Sequence, residues 1–176
     1  RVSSKFGPLT SAPTIIVSSS NGRAKRYGIV APVPGATHFL PWGQYIVVNP
    51  EGTNTDVLAH EFVHAEIAHR LGYLTRILSL LTWFDEGLAM QVDYRKKRSW
   101  SYIQAGIKLP PVSSLEPDAQ FYSGDRALHY AAAKVEVESW LSANGNLGLY
   151  EFLKEIKNGG TFQQLYEHYN EKNNKS

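Results

Sequence analysis

The spacing of hydrophobic positions changes character near residue 53. Before it, short β-branched and aromatic runs stand between turn-forming clusters, which is the pattern of strands. Thr14-Ile15-Ile16-Val17 is the first such run, closed by the turn cluster Ser18-Ser19-Ser20-Asn21-Gly22. Arg26 to Val30 reads as a second strand. Pro32, Pro34 and Gly35 then interrupt the chain. A third strand region runs from Thr37 to Asn49, with a bend at Pro41-Trp42-Gly43 and its strongest signal over Gln44 to Val48. Residues 1–13, with Pro8 and Pro13, read as an irregular lead-in.

After residue 53 the period becomes helical. Thr53-Asn54-Thr55-Asp56 supplies capping side chains, with Asp56 three residues after Thr53. The pattern predicts a helix from Asp56 to Leu71 that stops at Gly72. Further helices are predicted over Leu74 to Leu81 and Phe84 to Tyr94. Residues 99–125, which carry Pro110, Pro111, Pro117 and Gly124, read as loop. Three helices close the chain, at 125–143, 147–157 and 161–169, separated by Asn144-Gly145 and Asn158-Gly159-Gly160. Strands first and helices after predict an α+β fold rather than alternating βαβ units. A single domain over 1–176 is expected, with a small mixed sheet and the first long helix in 1–72 and a helical lobe in 73–176.

Composition narrows this picture. With 176 residues, 43% of them hydrophobic and 19% charged, the chain can bury a core without covalent staples. There is no cysteine, so disulfides and thiolate chemistry are excluded and any metal site must use His, Asp or Glu. A net charge of +2 is too balanced to imply a nucleic-acid partner. The basic run Arg95-Lys96-Lys97-Arg98 suits a helix end or a solvated loop. The longest apolar cluster, Ile77 to Phe84, is interrupted by Ser79 and Thr82, so no membrane span is expected. The chain begins at Arg1, which leads us to expect a trimmed or processed product from a secreted or cell-envelope protein rather than a cytoplasmic one.

Chemistry enters at His60-Glu61-Phe62-Val63-His64, an HExxH pattern inside the predicted helix. Residues four apart share one helix face, so both imidazoles can reach one ion. Glu61 is turned about 100° from His60, beside the ion without ligating it. There it can take a proton from water that zinc has acidified. Leu58, Phe62, Val63 and Ile67, with the small Ala59, Ala65 and Ala68, suit the rest of the helix to burial. Polar site residues on such a helix are costly unless a metal uses them.

A third ligand must come from elsewhere. His69 lies nine residues after His60. That is about 900° of helix, half a turn off the face of the pair, and His69 reads as a surface or structural histidine. Glu86 and its neighbour Asp85 follow in Trp83-Phe84-Asp85-Glu86-Gly87-Leu88-Ala89, with Glu86 placed 22 residues after His64. This segment resembles the W-x-x-E-G-x-A signature of the gluzincins, the thermolysin-like and M1-like metallopeptidases of the MA clan. The resemblance implies a zincin-like fold, a Zn2+ ion held by His60, His64 and Glu86, and peptide-bond hydrolysis with Glu61 as general base. Asp85 points about 100° from Glu86 and is expected to cap its helix or to sit behind the ligands. Some gluzincins orient the first histidine with an acid four residues after the ligand glutamate. Here that position is Met90, and Asp93 is the candidate acceptor.

The resemblance also implies a tyrosine on a later helix that donates to the developing oxyanion. Tyr130, in His129-Tyr130-Ala131-Ala132-Ala133, matches that position. It belongs to the polar stripe Arg126, Tyr130, Lys134, Glu138, Ser142, while Ala127, Leu128, Ala131, Ala132, Val135 and Val137 form the apolar surface. Tyr122 and His129 are alternative donors. A peptide substrate is expected along an edge strand over Thr37 to Gln44, with Thr37 and Trp42 as candidate contacts; a lone His38 reads as structural. Gly35-Ala36-Thr37-His38-Phe39 lacks the glutamate of the aminopeptidase G-x-M-E-N segment, which favours an endopeptidase. The competing class is a zincin-fold binding or regulatory module that keeps the metal without turnover.

Overall fold

The computed structural model describes residues 1–29, 33–40, 43–95 and 100–173. Trp42, a candidate substrate contact, lies outside the described residues, as do Lys96 to Arg98 of the basic run. The chain starts with a short helix α1 (Val2–Phe6), then β1 (Thr14–Val17), α2 (Asn21–Arg26), β2 (Gly35–Leu40) and β3 (Gly43–Val48). Next come α3 (Thr55–Leu71), α4 (Tyr73–Ser79) and α5 (Thr82–Ala89). The short helices α6 (Trp100–Gln104) and α7 (Asp118–Phe121) precede α8 (Arg126–Lys157) and α9 (Phe162–Asn173). The fold is α+β: a three-stranded mixed sheet and a mostly helical remainder.

The sheet order is β1-β3-β2. β3 is central, parallel to β1 and antiparallel to β2, with Thr37 opposite Ile46. Among the described residues β2 pairs on one side only and is an edge strand. Ile46 and Val48 on one face of β3 pack on Val57 and Ala65 of α3, while Val47 on the other packs on Ala24 of α2. That is the alternation a half-buried strand requires.

α3 is covered on both sides, by the sheet and by α5 and α8. Its buried residues therefore run around the whole helix rather than along one stripe. Asn54, not Thr53, caps it: the Asn54 carboxamide accepts from Asp56 N at 3.1 Å and Val57 N at 3.0 Å. Gly72, at φ +86°, ends it as expected. The main core lies between α3, α5, α8 and α9. Phe84 is its centre, with ring centroids of Trp140, Phe152 and Phe162 each 5.4 Å away.

Several predicted elements differ. The strand expected over Arg26 to Val30 is, in its described part, the end of α2 and a turn. Ser20, read as a turn residue, caps α2 by accepting from Arg23 N at 3.3 Å. The lead-in contains α1, because Val2 and Phe6 lie one turn apart and bury together in the main core. The predicted helix to Tyr94 stops at Ala89, which puts Asp93 outside it. The expected loop over 99–125 contains α6, α7 and a 3₁₀ turn at Val112–Leu115. The two helices expected at 125–143 and 147–157 run on as α8 across a kink where Gly145 takes φ 66°, ψ −179°. No described helix is long and apolar enough to cross a membrane.

Candidate metal centre

α3 and α5 cross so that three side chains meet at the floor of one cavity of about 620 Å³. His60 and His64 stand one turn apart with Nε2 atoms 3.1 Å from each other. Glu86 Oε2 lies 3.2 Å from His60 Nε2 and 3.6 Å from His64 Nε2. One ligand atom from each of the three residues falls within 4.8 Å of the others, so this buried group could hold a metal ion. Two imidazole nitrogens and a carboxylate oxygen suit a divalent transition metal. Glu86 Oε2 is buried and accepts no well-aligned hydrogen bond from a described residue, an atom left for a cation. Its other oxygen, Oε1, accepts from the Tyr122 hydroxyl at 2.8 Å.

A second carboxylate stands behind each imidazole. His60 Nδ1 lies 3.2 Å from Asp93 Oδ2, and His64 Nδ1 lies 3.1 Å from Asp85 Oδ2. Each of these acids has its own arginine. Arg95 Nε reaches the two Asp93 oxygens at 2.8 and 3.0 Å, and its Nη2 also binds Asp93. Arg76 Nη2 binds Asp85 while its guanidinium lies 4.2 Å over the Phe39 ring. Asp85 is therefore not a helix cap: α5 begins after Leu81 with no side-chain cap, and the Asp85 carboxylate turns to His64 and Arg76.

These neighbours set the ionisation of the metal-free site. Burial pushes both imidazoles down, but nearby carboxylates outweigh it. His60 is raised by Asp93 and Glu86, and His64 is raised well above its ordinary value by Asp85 and Glu86. Burial opposes the charge on Glu86, yet the two imidazoles hold it well below the usual carboxylate range. Asp93 is likewise held low against burial by Arg95 and His60, and Asp85 by Arg76 and His64. Burial and the Glu86 charge push the Tyr122 phenol far up, so it stays a donor.

Glu61 is 7% exposed and lines the same cavity. Thr37 Oγ1 donates to its carboxylate at 2.7 Å and lies 3.0 Å from its backbone carbonyl oxygen. Thr37, expected as a substrate contact, thus has its hydroxyl committed to Glu61. Gly35 lets β2 come this close: a Cβ there would lie 2.7 Å from Val57 Cγ1 and 3.3 Å from Glu61 Oε1. Tyr130 is half-buried, lines the cavity and packs edge-on against Phe121 at 5.2 Å. His129 turns away, with Nδ1 2.9 Å from the Phe121 carbonyl oxygen. His69 is exposed, and His38 stacks on Tyr45 at 5.0 Å.

The stripe expected on α8 is not uniformly solvated. Lys134 is buried, and its Nζ donates to the Met90 carbonyl at 3.2 Å, at the end of α5. Val135, placed on the apolar surface by the periodicity, is 39% exposed. The contacts of Arg76, Arg95, Tyr122 and Lys134 were not anticipated. For Arg95 the signal was its position two residues after Asp93; Arg76 reaches the next helix nine residues on, and Tyr122 and Lys134 join segments 36 and 44 positions apart. Comparison of the chain with protein-family models, curated protein sequences and solved structures gives no match.

Proposed function

We propose that the chain is a zinc-dependent peptidase of the gluzincin type, with a zincin-like fold, that hydrolyses peptide bonds of a chain laid along β2. One observation carries the reading: His60, His64 and Glu86 converge within 4.8 Å on the floor of a cavity whose wall holds Glu61 and whose rim is an edge strand. When bound by these three residues, zinc supplies Lewis acidity, polarising a carbonyl and acidifying water. Asp93 Oδ2 and Asp85 Oδ2 stand 3.2 and 3.1 Å from the Nδ1 atoms of the two imidazoles, close enough to draw a hydrogen to each Nδ1 and leave both Nε2 lone pairs for the ion. Glu61 takes one proton from the attacking water and delivers it to the departing amine nitrogen. Thr37 keeps the Glu61 carboxylate in one orientation through this exchange. Tyr130 donates its hydroxyl hydrogen to the substrate oxygen as negative charge grows there. The unpaired edge of β2 offers backbone donors and acceptors to an extended peptide.

The test uses protein never exposed to chelator. We expect near-stoichiometric zinc and cleavage of a peptide library by the wild type. In Glu61→Gln we expect cleavage lost and zinc retained. Absence of zinc, with none gained on titration, sinks the metal reading. Equal cleavage by both proteins removes Glu61 as the base, and bound zinc with no wild-type cleavage favours a binding module over an enzyme.

A further inference from the structure

Among the described residues three arginines line the cavity, and two of them are spoken for. Arg76 is neutralised by Asp85 and Arg95 by Asp93. Arg126, the first residue of α8, is different. Its Nε donates to the Tyr122 carbonyl at 2.9 Å, and among the described residues it makes no ion pair. The neighbouring acid, Asp125, is committed elsewhere. It accepts from the Tyr102 hydroxyl at 2.5 Å and from Ala127 N at 3.1 Å as the cap of α8.

Arg126 is exposed, and its guanidinium is tethered at one atom. Tyr122 holds Arg126 through its carbonyl and Glu86 through its hydroxyl, so one residue joins the arginine to the candidate metal ligand. A guanidinium fixed at Nε keeps its two terminal nitrogens as a fork, the geometry that meets a carboxylate. With a dication held by His60, His64 and Glu86, the two charges of the ion are matched by Glu61 and Glu86, the acids among the described lining residues, and Arg126 leaves the lining with a net positive charge. Such a lining favours anionic ligands.

We propose that Arg126 forms a subsite that selects peptides bearing a carboxylate on the α8 side of the cavity, supplied by an Asp or Glu side chain or by a free C-terminus. The inference rests on the peptidase reading and names the substrate class of that same site. A charge-assisted pair of this kind, partly open to solvent, corresponds to a preference of about tenfold. Salt weakens it.

The experiment uses the zinc-loaded protein and fluorescein-labelled octapeptide pools with Glu, Gln or Lys fixed at one position at a time, each with a free or an amidated C-terminus. Cleavage is followed by kcat/KM and binding by anisotropy on Glu61→Gln. Wild type is expected to prefer either Glu over Gln at one position or free over amidated ends by about tenfold in both readouts. In R126A the favoured pool falls to the level of its neutral counterpart, and R126E shifts the preference to pools with Lys at that position. Zinc content and far-UV circular dichroism confirm that both variants are folded. Equal handling of charged and neutral pools by the wild type, or a preference that survives in R126A, overturns the subsite and leaves the peptidase reading standing. No cleavage of any pool overturns the peptidase reading, and the anisotropy still decides the subsite.

Discussion

Gly87 follows Glu86 in α5, and replacing it with alanine separates helix propensity from packing. In an open helix, Gly→Ala stabilises by about 1 kcal/mol. At Gly87 a Cβ would lie 2.5 Å from the Ala133 carbonyl oxygen and 2.5 Å from Val137 Cγ2, both in α8. Ordinary contact is about 3.5–4.0 Å, so roughly 1 Å of separation must be found. The oxygen is backbone and Val137 is fully buried, so neither yields without moving α8. Overpacking of this kind costs about 1–3 kcal/mol, and two such contacts outweigh the propensity gain. We expect Gly87→Ala to be destabilised by about 1–2 kcal/mol in the metal-free form, or roughly 2–8 °C in Tm for a chain of this size. The shift also carries Glu86 away from His60 and His64, beyond the tolerance of about 0.5 Å that a preorganised site allows. Zinc affinity should fall at least about tenfold. Urea unfolding followed by tryptophan fluorescence and chelator competition measure the two effects. Gly22→Ala is the control: it lies in α2 with nothing within 4 Å of the added carbon, and it should be neutral or stabilising. A Gly87→Ala protein as stable as wild type and with unchanged zinc affinity would refute the close approach of α5 to α8.

Asp93→Asn, which leaves Arg95 without its counter-charge, should weaken zinc binding about 10- to 100-fold; unchanged affinity in chelator competition dismisses Asp93 as the partner of His60. Tyr130→Phe should lower kcat about 100-fold with little change in KM, whereas an unaltered kcat returns Tyr130 to packing against Phe121. Because both imidazoles are raised in the metal-free site, zinc bound there as proposed would displace protons, and its affinity should fall as pH drops below their raised values. Titration calorimetry in two buffers of different ionisation enthalpy reads that release, and identical heats would contradict it. Glu66 is held below its ordinary value against burial, because the Ser11 and Thr10 hydrogen bonds outweigh it. Its contribution is therefore full above the unfolded value of 4.5 and lost as pH falls through the folded one. Glu66→Gln should cost about 1.5–3 kcal/mol at pH 7 in urea unfolding, with a gap to wild type that closes in acid; a gap constant with pH denies the charge any part in it.

Local signals were the legible ones. α3 was bounded to within one residue at its start, and Gly72 ended it as read, because capping, periodicity and a C-terminal glycine are all written in adjacent residues. The run Thr14–Val17 formed a strand for the same reason. Ser20-Asn21-Gly22 misled, since a helix N-cap and a turn use the same side chains, and only burial of Ala24 under Val47 decides between them. Asp93 was placed near His60 by supposing a continuous helix from Glu86. The structure brings it there from beyond the end of α5, along a different path. Apart from Arg95, two residues after Asp93, the polar partners around the site were not readable. Arg76 of α4 reaches Asp85 of α5 across nine positions of chain, and Tyr122 reaches Glu86 across 36. Such pairings are fixed by how closely helices pack, and that closeness depends on single small residues such as Gly35 and Gly87.

Under the proposed function the arginines behind the histidines matter to metal binding although neither is a ligand. Asp93 has 0% exposure, and a buried carboxylate without a counter-charge sheds its charge by taking a proton. Protonated, it would donate to His60 Nδ1 instead of accepting from it. The imidazole would then keep its hydrogen on Nε2, the atom that faces Glu86, and the lone pair needed by a cation would be gone. Arg95, bound to both Asp93 oxygens, holds the acid ionised and so fixes the tautomer one residue away. Arg76 does the same for His64 through Asp85. Each pair buries its acid and half-buries its arginine, and the desolvation this costs offsets much of the attraction, so the pairs are weak evidence of stabilisation. Their use under the proposed function lies elsewhere: each pair keeps a carboxylate charged at Nδ1, so that the proton an arriving cation displaces is the one on Nε2 and the nitrogen left facing the cavity carries a lone pair.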